Sequence, residues 1–133
     1  MDTTHLLPPF TLEIANQKAK LIETVWNSKN IELISSLYTS HAEWRDGIDF
    51  LNKMEDRMAF VKKKFEREQE SNLNIELWGF RNNRMAVRTE YHWKDSSGQA
   101  FQRFGNELWE FNDIGLIQKR YSSYNELPFI PVG

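Results

Sequence analysis

Residues 73–124 decide the fold, and their sequence is LNIELWGFRNNRMAVRTEYHWKDSSGQAFQRFGNELWEFNDIGLIQKRYSSY. Apolar and polar residues alternate through four segments of this stretch, which is the pattern of strands with one buried face. The separators at 82–83, 95–98 and 112–115 are rich in Asn, Asp, Ser and Gly, the residues that form turns. The stretch therefore predicts a four-stranded antiparallel meander, with strands at 73–81, 84–93, 100–111 and 116–124.

The preceding part of the chain has a helical pattern. Apolar residues recur at helical spacing after Thr11, a candidate N-cap, and again along a charged segment that ends near residue 70. Trp44 and Arg45 lie in a short extended segment between two of these helices. The predicted elements are an extended lead-in at 1–9, helices at 11–27, 31–38 and 53–70, and the extended segment at 41–46. Helices followed by a meander predict an α+β domain, with three N-terminal helices packed on one sheet face.

Composition excludes several classes of protein. The chain has 133 residues, 40% of them hydrophobic and 14% aromatic, enough for one packed domain spanning 1–133. A formal net charge of −2 gives no general attraction for nucleic acid, and the lack of cysteine excludes disulfides and thiolate metal sites. No apolar run approaches the length of a membrane span, and the N-terminus lacks the pattern of a signal peptide. We expect a cytoplasmic protein with no nucleic-acid or membrane partner.

Strand parity sorts the meander into two faces, if the turns set the simplest registers. In that register Glu107 and Arg120 lie opposite each other, as a cross-strand ion pair requires. A bulge in any strand would invert the assignment beyond it. The face predicted to lie under the helices is aromatic and comprises Met85, Val87, Thr89, Tyr91, Trp93, Phe101, Arg103, Gly105, Glu107, Trp109 and Phe111, flanked by Glu76, Trp78 and Phe80 and by Leu116, Gln118, Arg120, Ser122 and Tyr124.

The opposite face is predicted to be half apolar. A mixed face of this kind on a small domain is a candidate subunit interface, so the pattern favours a homodimer formed through the sheet. Its predicted members are Leu73, Ile75, Leu77, Ala86, Arg88, Glu90, His92, Phe104, Asn106, Leu108, Ile117, Lys119 and Tyr121.

Several runs together resemble the nuclear transport factor 2-like superfamily, which includes SnoaL-like and ketosteroid-isomerase-like proteins. They are Trp44-Arg45, Trp78-Gly79-Phe80, the run at 84–88 and Tyr91-His92-Trp93, while the runs at 105–111 and 120–128 look like one uncharacterised family within it. The resemblance implies a cone-shaped domain with a strongly curved sheet, a pocket and usually a dimer. It does not imply one chemistry, because members include cyclases, isomerases, dehydratases and binding domains. The acid-base trio of the isomerase cannot be matched here, since neither Asp46 nor Asp49 falls in a shared motif.

Glu107 is the main candidate for chemistry. A desolvated carboxylate on an aromatic face could act as a general base, whereas pairing with Arg120 would keep it ionised and make it structural. Tyr91 could donate its hydroxyl to a substrate oxygen or could pack with that hydroxyl at a rim. Arg103 and Arg120 could bind an anionic group in bidentate fashion or could be structural.

The remaining candidates have weaker signals. Aromatic residues at strand spacing could wall a pocket or form ordinary core, and those chosen are Trp44, Phe50, Trp78 and Trp109. The run Lys62-Lys63-Lys64 could bind phosphate, but a solvated helix face with charge pairs is the favoured interpretation. His5, His41 and His92 show no metal-ligand spacing, and no glycine-rich phosphate loop or nucleophile elbow occurs, so we expect no metal and no cofactor.

Two functional hypotheses remain open at this point. One is an isomerase, cyclase or dehydratase acting on a small apolar or anionic carbonyl compound, with Glu107 titrating above a free carboxylate. The other is a non-catalytic dimer that holds a small ligand, with an ionised Glu107 locked to Arg120. A protein-interaction module that uses the open sheet face is a third, weaker alternative.

Overall fold

A computed structural model describes residues 6–130, and a six-stranded sheet organises it. The strand order is β2-β1-β6-β5-β4-β3. The three helices are α1 (Leu12–Asn27), α2 (Ile31–Ser35) and α3 (Met54–Arg67). The strands are β1 (Tyr38–Asp46), β2 (Asp49–Phe50), β3 (Gln69–Arg81), β4 (Arg84–Lys94), β5 (Ala100–Phe111) and β6 (Ile117–Pro128).

The helices begin where the capping residues predict. The Thr11 hydroxyl accepts a hydrogen bond from the Ile14 N–H at 3.2 Å and caps α1. The second helix is shorter than the predicted 31–38, because the Leu37 carbonyl accepts a hydrogen bond from the Ile117 N–H and Tyr38 opens β1. The third helix ends at Arg67 rather than at residue 70, since Gln69 already pairs with Lys94 in the sheet. The charged segment thus passes directly from helix to strand.

The meander of four hairpin strands is confirmed, and the sheet extends beyond it. Strands β3 to β6 pair antiparallel in sequence order. Strand β1, predicted only as a short extended segment, pairs parallel with β6 and antiparallel with β2. The helices and this curled sheet form the predicted α+β architecture. The parallel pair places Trp44 and Asp46 beside Arg120 and Ser122.

A bulge in β3 makes the predicted face wrong for the residues before it, whereas Phe80, after the bulge, faces the core as predicted. The register of β4 with β5 is the predicted one, with Met85 opposite Trp109. In β3 an irregularity between Leu77 and Gly79 shifts the pairing by one residue, so Leu77 lies opposite Val87. Leu73, Ile75 and Leu77 therefore face the core together with Phe80, whereas Glu76 and Trp78 face outward. Trp78 is 69% exposed.

A second irregularity makes the predicted side-chain faces wrong at the start of β6. It lies between Glu110 and Phe111, and Phe111 pairs with Ile117. Ile117 is consequently buried in the core, contrary to its predicted outward position, while Gln118 turns outward and bonds Glu110. Leu116 precedes the strand. Beyond this point the predicted parity holds, although Arg120 lies opposite Trp109 and only diagonal to Glu107.

The core lies between the inner sheet face and helices α1 and α3. Aromatic rings fill much of it: Trp26 stacks on Trp44 at 6.0 Å, and Tyr38 meets Trp44 edge-on at 5.0 Å. Arg57 of α3 is buried and donates to four backbone carbonyls around β1, which fixes that strand against the helix. Among residues 6–130, no helix has the length and apolar character needed to cross a membrane.

Candidate functional site

A small polar cavity lies inside the cone, between the inner sheet face and the helices. Its volume is about 40 Å³. That space holds a few water molecules, because one water needs roughly 10 to 15 Å³ of such volume. The groups at its wall are mostly polar or charged, and the lining residues are Trp26, Asn27, Asp46, Lys64, Phe65, Ser71, Leu73, Thr89, Tyr91, Arg103, Glu107, Arg120, Ser122 and Tyr124.

Two carboxylates bridged by one guanidinium form the centre of this wall. The Nε and Nη2 atoms of Arg120 donate to the two oxygens of Glu107 at 3.0 and 2.9 Å. Its Nη1 donates to Oδ2 of Asp46 at 3.1 Å. All three side chains are buried, with exposed fractions of 6%, 12% and 8% for Arg120, Glu107 and Asp46. We call these three residues the carboxylate cluster.

Further donors hold the two carboxylates unequally. Oε1 of Glu107 also accepts from the Trp109 indole N–H at 2.8 Å, so both lone pairs of that oxygen are used. Among the described side chains, Oδ1 of Asp46 accepts only from the Tyr124 hydroxyl, at 2.7 Å, and Oδ2 only from Arg120. Asp46 therefore keeps one lone pair on each oxygen, whereas Glu107 keeps one in total. Asp46 is the better placed of the two to accept a proton.

The charges in the cluster stabilise one another. Burial alone would raise the pKa of Asp46, but the adjacent Arg120 and the Tyr124 hydroxyl lower it below its ordinary value. Burial opposes the charge on Arg120 as well, yet Glu107 and Asp46 raise the pKa of its guanidinium. The guanidinium also lies over the rings of Trp44 and Trp26, 4.4 and 5.3 Å from their centroids. Asp46 and Arg120 are thus both ionised at neutral pH.

A second ionic cluster lies beside the cavity and centres on Glu68. Its side chain is fully buried and is bound by Lys64 at 2.6 Å, by Arg67, and by Nη2 of Arg103 at 3.0 Å. Burial alone would raise the pKa of Glu68, but Lys64 and Arg103 lower it to about 2. Arg103 also binds Glu126 through Nε at 3.0 Å and through Nη2. We call Glu68, Arg103 and Glu126 the mouth cluster.

Lys64 and Tyr91 are close together between the two clusters. The Lys64 ammonium lies 4.0 Å from the centroid of the Tyr91 ring. Burial and the charge of Arg103 lower the pKa of Lys64 to about 8, against the opposing effect of Glu68. The Tyr91 hydroxyl is buried and makes no hydrogen bond of ordinary geometry with residues 6–130. Burial raises its pKa, as does the nearby Glu68, so this hydroxyl stays protonated and can donate.

The structure brings four of the predicted site residues together and separates the other four from the cavity. Glu107, Arg120, Tyr91 and Arg103 all line it. Trp44 and Trp109 support the carboxylate cluster, one under Arg120 and the other through its bond to Glu107. The remaining two are displaced: Phe50 is 73% exposed on the edge strand β2, and the β3 bulge turns Trp78 outward.

Other sequence predictions fall outside this site. Lys64 is not part of a solvated face, since only 12% of its side chain is exposed, while Lys62 and Lys63 are exposed as predicted. His5 lies outside the described residues. Within residues 6–130, no three side chains of the metal-binding types come together.

Asp46, Lys64, Glu68 and Tyr124 are the functional candidates that the sequence analysis missed. Some of them carried a recognisable signal. Asp46 is two residues beyond Trp44 on one strand, so both side chains share a face. Lys64 and Glu68 follow Val61 at spacings of three and seven, so Lys64 lies on the buried stripe of α3 and Glu68, the residue that ends the helix, follows on the same side. The parallel pairing that joins Asp46 to Arg120 had no signal in the local pattern.

A family model described as "Protein of unknown function (DUF1348)" matches residues 8–131. The chain belongs to this family. No curated protein sequence matches it. Membership agrees with the predicted resemblance, because solved structures similar to this DUF1348 chain have the nuclear transport factor 2-like fold.

Three solved structures illustrate this likeness of fold. The epoxide hydrolase/cyclase-like enzyme SalBIII, which has a role in pyran ring formation in salinomycin, is 11% identical, with a TM-score of 0.77 over 88% of this chain and 97% of that one. An NTF2-like protein of unknown function from Exiguobacterium sp. 255-15 is 16% identical, with a TM-score of 0.68 over 84% and 97%. RV0760c from Mycobacterium tuberculosis, solved with estradiol-17β-hemisuccinate, is 14% identical, with a TM-score of 0.70 over 83% and 98%.

Proposed function

We propose that this DUF1348 protein is a small-molecule enzyme that uses acid-base chemistry inside the cone, of the isomerase, cyclase or dehydratase kind. The observation that carries the proposal is the buried carboxylate cluster on the cavity wall. Burying three charges costs several kcal/mol per ion before their mutual attraction is counted, and an apolar wall would serve the fold equally well. Clusters of this kind are concentrated at functional sites, where charge is arranged for proton transfer.

The roles follow from the unused hydrogen-bonding capacity. Asp46 would accept the substrate proton, because it keeps free lone pairs and is ionised at neutral pH. The Tyr91 hydroxyl would donate to the substrate oxygen on which negative charge develops, since it is protonated and has no well-formed hydrogen bond within residues 6–130. Glu107 and Arg120 would fix Asp46 and balance its charge. This assigns the base to Asp46 instead of Glu107.

SalBIII and the steroid complex of RV0760c support the proposal as examples of chemistry and of ligand binding on the same fold. At such low identity they supply an analogy of fold only. SalBIII motivates epoxides as one substrate class for testing, and another solved structure described as having a ketosteroid isomerase-like fold motivates enolisable ketones as the second. Both need a proton acceptor and a donor to oxygen, which are the two roles assigned to Asp46 and Tyr91.

Isotope incorporation from solvent tests the proposal and does not require the product to be identified in advance. Panels of cyclic epoxides in ¹⁸O-water and of cyclic ketones in D₂O, each with neutral and carboxylate-bearing members, would be incubated with the protein and analysed by mass spectrometry. We expect enzyme-dependent incorporation into one class of compound. Asp46→Asn should slow this incorporation at least a hundredfold, which is within the rate acceleration that general acid-base catalysis usually provides. Asp113→Asn is the matched control, since Asp113 is exposed in the β5–β6 turn. Incorporation that Asp46→Asn leaves intact would contradict the assignment.

A non-catalytic binding protein is the second candidate, and one observation favours it. Glu107 is locked to Arg120 through both oxygens, as that hypothesis requires. It predicts saturable binding of a small ligand in the cavity with no isotope incorporation into either class. Calorimetric titration with the same compounds, run beside the incorporation assay, separates the two candidates. Binding without isotope incorporation indicates the binding protein, and binding with incorporation indicates the enzyme.

We propose in addition that the outer sheet face forms a cytoplasmic homodimer. Support comes from a groove of about 460 Å³ on this face, lined largely by apolar surface that includes the exposed Leu108, and from exposed Phe104 on the same face. Light scattering after size exclusion should give twice the chain mass, and Leu108→Lys should give the monomer. Ile114→Lys, at an exposed residue of the β5–β6 turn, should remain dimeric. A monomeric wild type would contradict this proposal.

A further inference from the structure

The cavity is too small for an organic ligand as it stands. Its volume is about 40 Å³, whereas pockets for small molecules typically enclose roughly 300 to 1,000 Å³. Binding of any substrate therefore requires a wall of the cavity to move. The mouth cluster is the candidate wall, because Arg103 lines the cavity and is bound from outside by Glu126, which lies at the exposed end of β6.

The two carboxylates that bind Arg103 are held with very different strength. Glu68 has no exposed side-chain surface and three cationic partners, so it is fixed in place. Glu126 is 36% exposed, and Arg103 is its one ion-pair partner among the described residues. Exposed ion pairs contribute about 1 kcal/mol or less, so Glu126 is the partner that can leave.

Arg103 itself is positioned to stay. Its guanidinium lies over the rings of Tyr91 and Tyr124, 5.2 and 4.5 Å from their centroids, and its side chain is 12% exposed. Both tyrosines line the cavity. When Glu126 moves away, the Nε–H and one Nη2–H of Arg103 lose their acceptor. Parallel donors of this kind fit the two oxygens of a carboxylate.

We propose that Glu126 occupies the place of a substrate carboxylate, and that a substrate carrying one displaces it from Arg103 and thereby opens the mouth of the cavity. The exchange substitutes one carboxylate for another, so the charge around Arg103 is unchanged. A neutral ligand would leave Arg103 without this acceptor. The inference rests on the proposed small-molecule function and adds the substrate class, a small organic anion with the carboxylate at the mouth and the reacting carbon toward Asp46.

Binding of benzoate and of benzamide, measured by calorimetry, tests the inference because the two probes differ mainly in charge. Glu126→Gln removes the competing carboxylate and should tighten benzoate binding about fivefold while leaving benzamide binding unchanged, since fivefold corresponds to the roughly 1 kcal/mol of an exposed ion pair. Arg103→Gln should weaken benzoate at least tenfold, and Arg103→Lys should recover part of that loss. Glu90→Gln is the control, since Glu90 pairs with Arg88 on the outer face.

Three results would overturn the inference: equal affinities for benzoate and benzamide, an unchanged benzoate affinity in Glu126→Gln, or no saturable benzoate binding to that variant. Glu126 is exposed, so Glu126→Gln should fold normally, which a thermal melt checks. Failure of the proposed function appears differently. In that case benzoate binds with the expected dependence on Glu126, but no isotope is incorporated into any substrate.

Discussion

Replacing Arg120 by methionine should destabilise the protein strongly. The substitution keeps an unbranched stem over Trp44 but removes three ion-pair hydrogen bonds of 2.9 to 3.1 Å. It leaves Asp46 and Glu107 buried, with 8% and 12% of their side chains exposed and no cation between them. Breaking a buried pair in this way costs about 3 to 5 kcal/mol. With a urea m-value of about 2 kcal/mol/M, the unfolding midpoint should fall by about 2 M.

The triple variant Asp46→Asn, Glu107→Gln, Arg120→Met separates function from architecture. It removes all three charges while nearly preserving shape, and replacing a whole buried ion cluster by neutral groups is often neutral or stabilising. We expect it to regain most of the lost midpoint in urea and to remain inactive. Two results would refute the conclusion that these charges are buried and depend on one another. One is a urea midpoint near that of the wild type in the single variant Arg120→Met, and the other is a triple variant whose midpoint stays as low as that of Arg120→Met.

Three further predictions test other parts of the site. Tyr91→Phe should leave the free energy of unfolding unchanged or raise it by about 1 kcal/mol in urea denaturation, because it removes a buried hydroxyl that makes no well-formed hydrogen bond within residues 6–130. The same variant should slow turnover, and a clear loss of stability would contradict this. Gly105→Ala should lower the free energy of unfolding by about 1 to 3 kcal/mol, because the new Cβ would collide with the Ser123 carbonyl and lie 2.8 Å from the Tyr124 Cβ. Gly79→Ala is the control and should not lower it, since a Cβ there meets nothing within 4 Å. Equal urea midpoints for the two variants would contradict the packing described. The pKa of Glu68 is about 2 in the folded protein, against an ordinary value of 4.5. Its ionised carboxylate therefore stabilises the fold above pH 4.5, and this stabilisation is lost as the pH falls toward 2. The urea midpoint of the wild type should drop across this pH range, and that of Glu68→Gln should drop less.

The sequence predicted the architecture well because its signals are local. Hairpin turns at 82–83, 95–98 and 112–115 and the period of two fixed the meander and the register of β4 with β5. The bulges in β3 and at the start of β6 leave no mark in a single sequence. They inverted the predicted faces of Trp78 and Ile117, since one extra residue reverses parity.

The candidate site was predicted only in part for a similar reason. Glu107, Arg120, Tyr91 and Arg103 come from the meander, where parity alone groups them. Asp46 and Glu68 come from β1 and from the end of α3, and long-range packing brings them to the cavity. A charged residue near a helix end is usually solvated, and Glu68 is buried only because Lys64, Arg67 and Arg103 surround it.

Chemical shift mapping tests most directly whether chemistry resides inside the cone. The protein would carry ¹⁵N-labelled tryptophan and ¹³C-labelled leucine methyl groups, and it would be titrated with the best substrate from the isotope screen. We predict saturable shifts of the indole signal of Trp26, whose side chain lines the cavity while its N–H donates to the Tyr38 hydroxyl. We predict no shifts for the Leu108 methyl groups, which lie in the outer groove. Shifts confined to Leu108, with Trp26 unmoved, would contradict the account and place the ligand on the outer face.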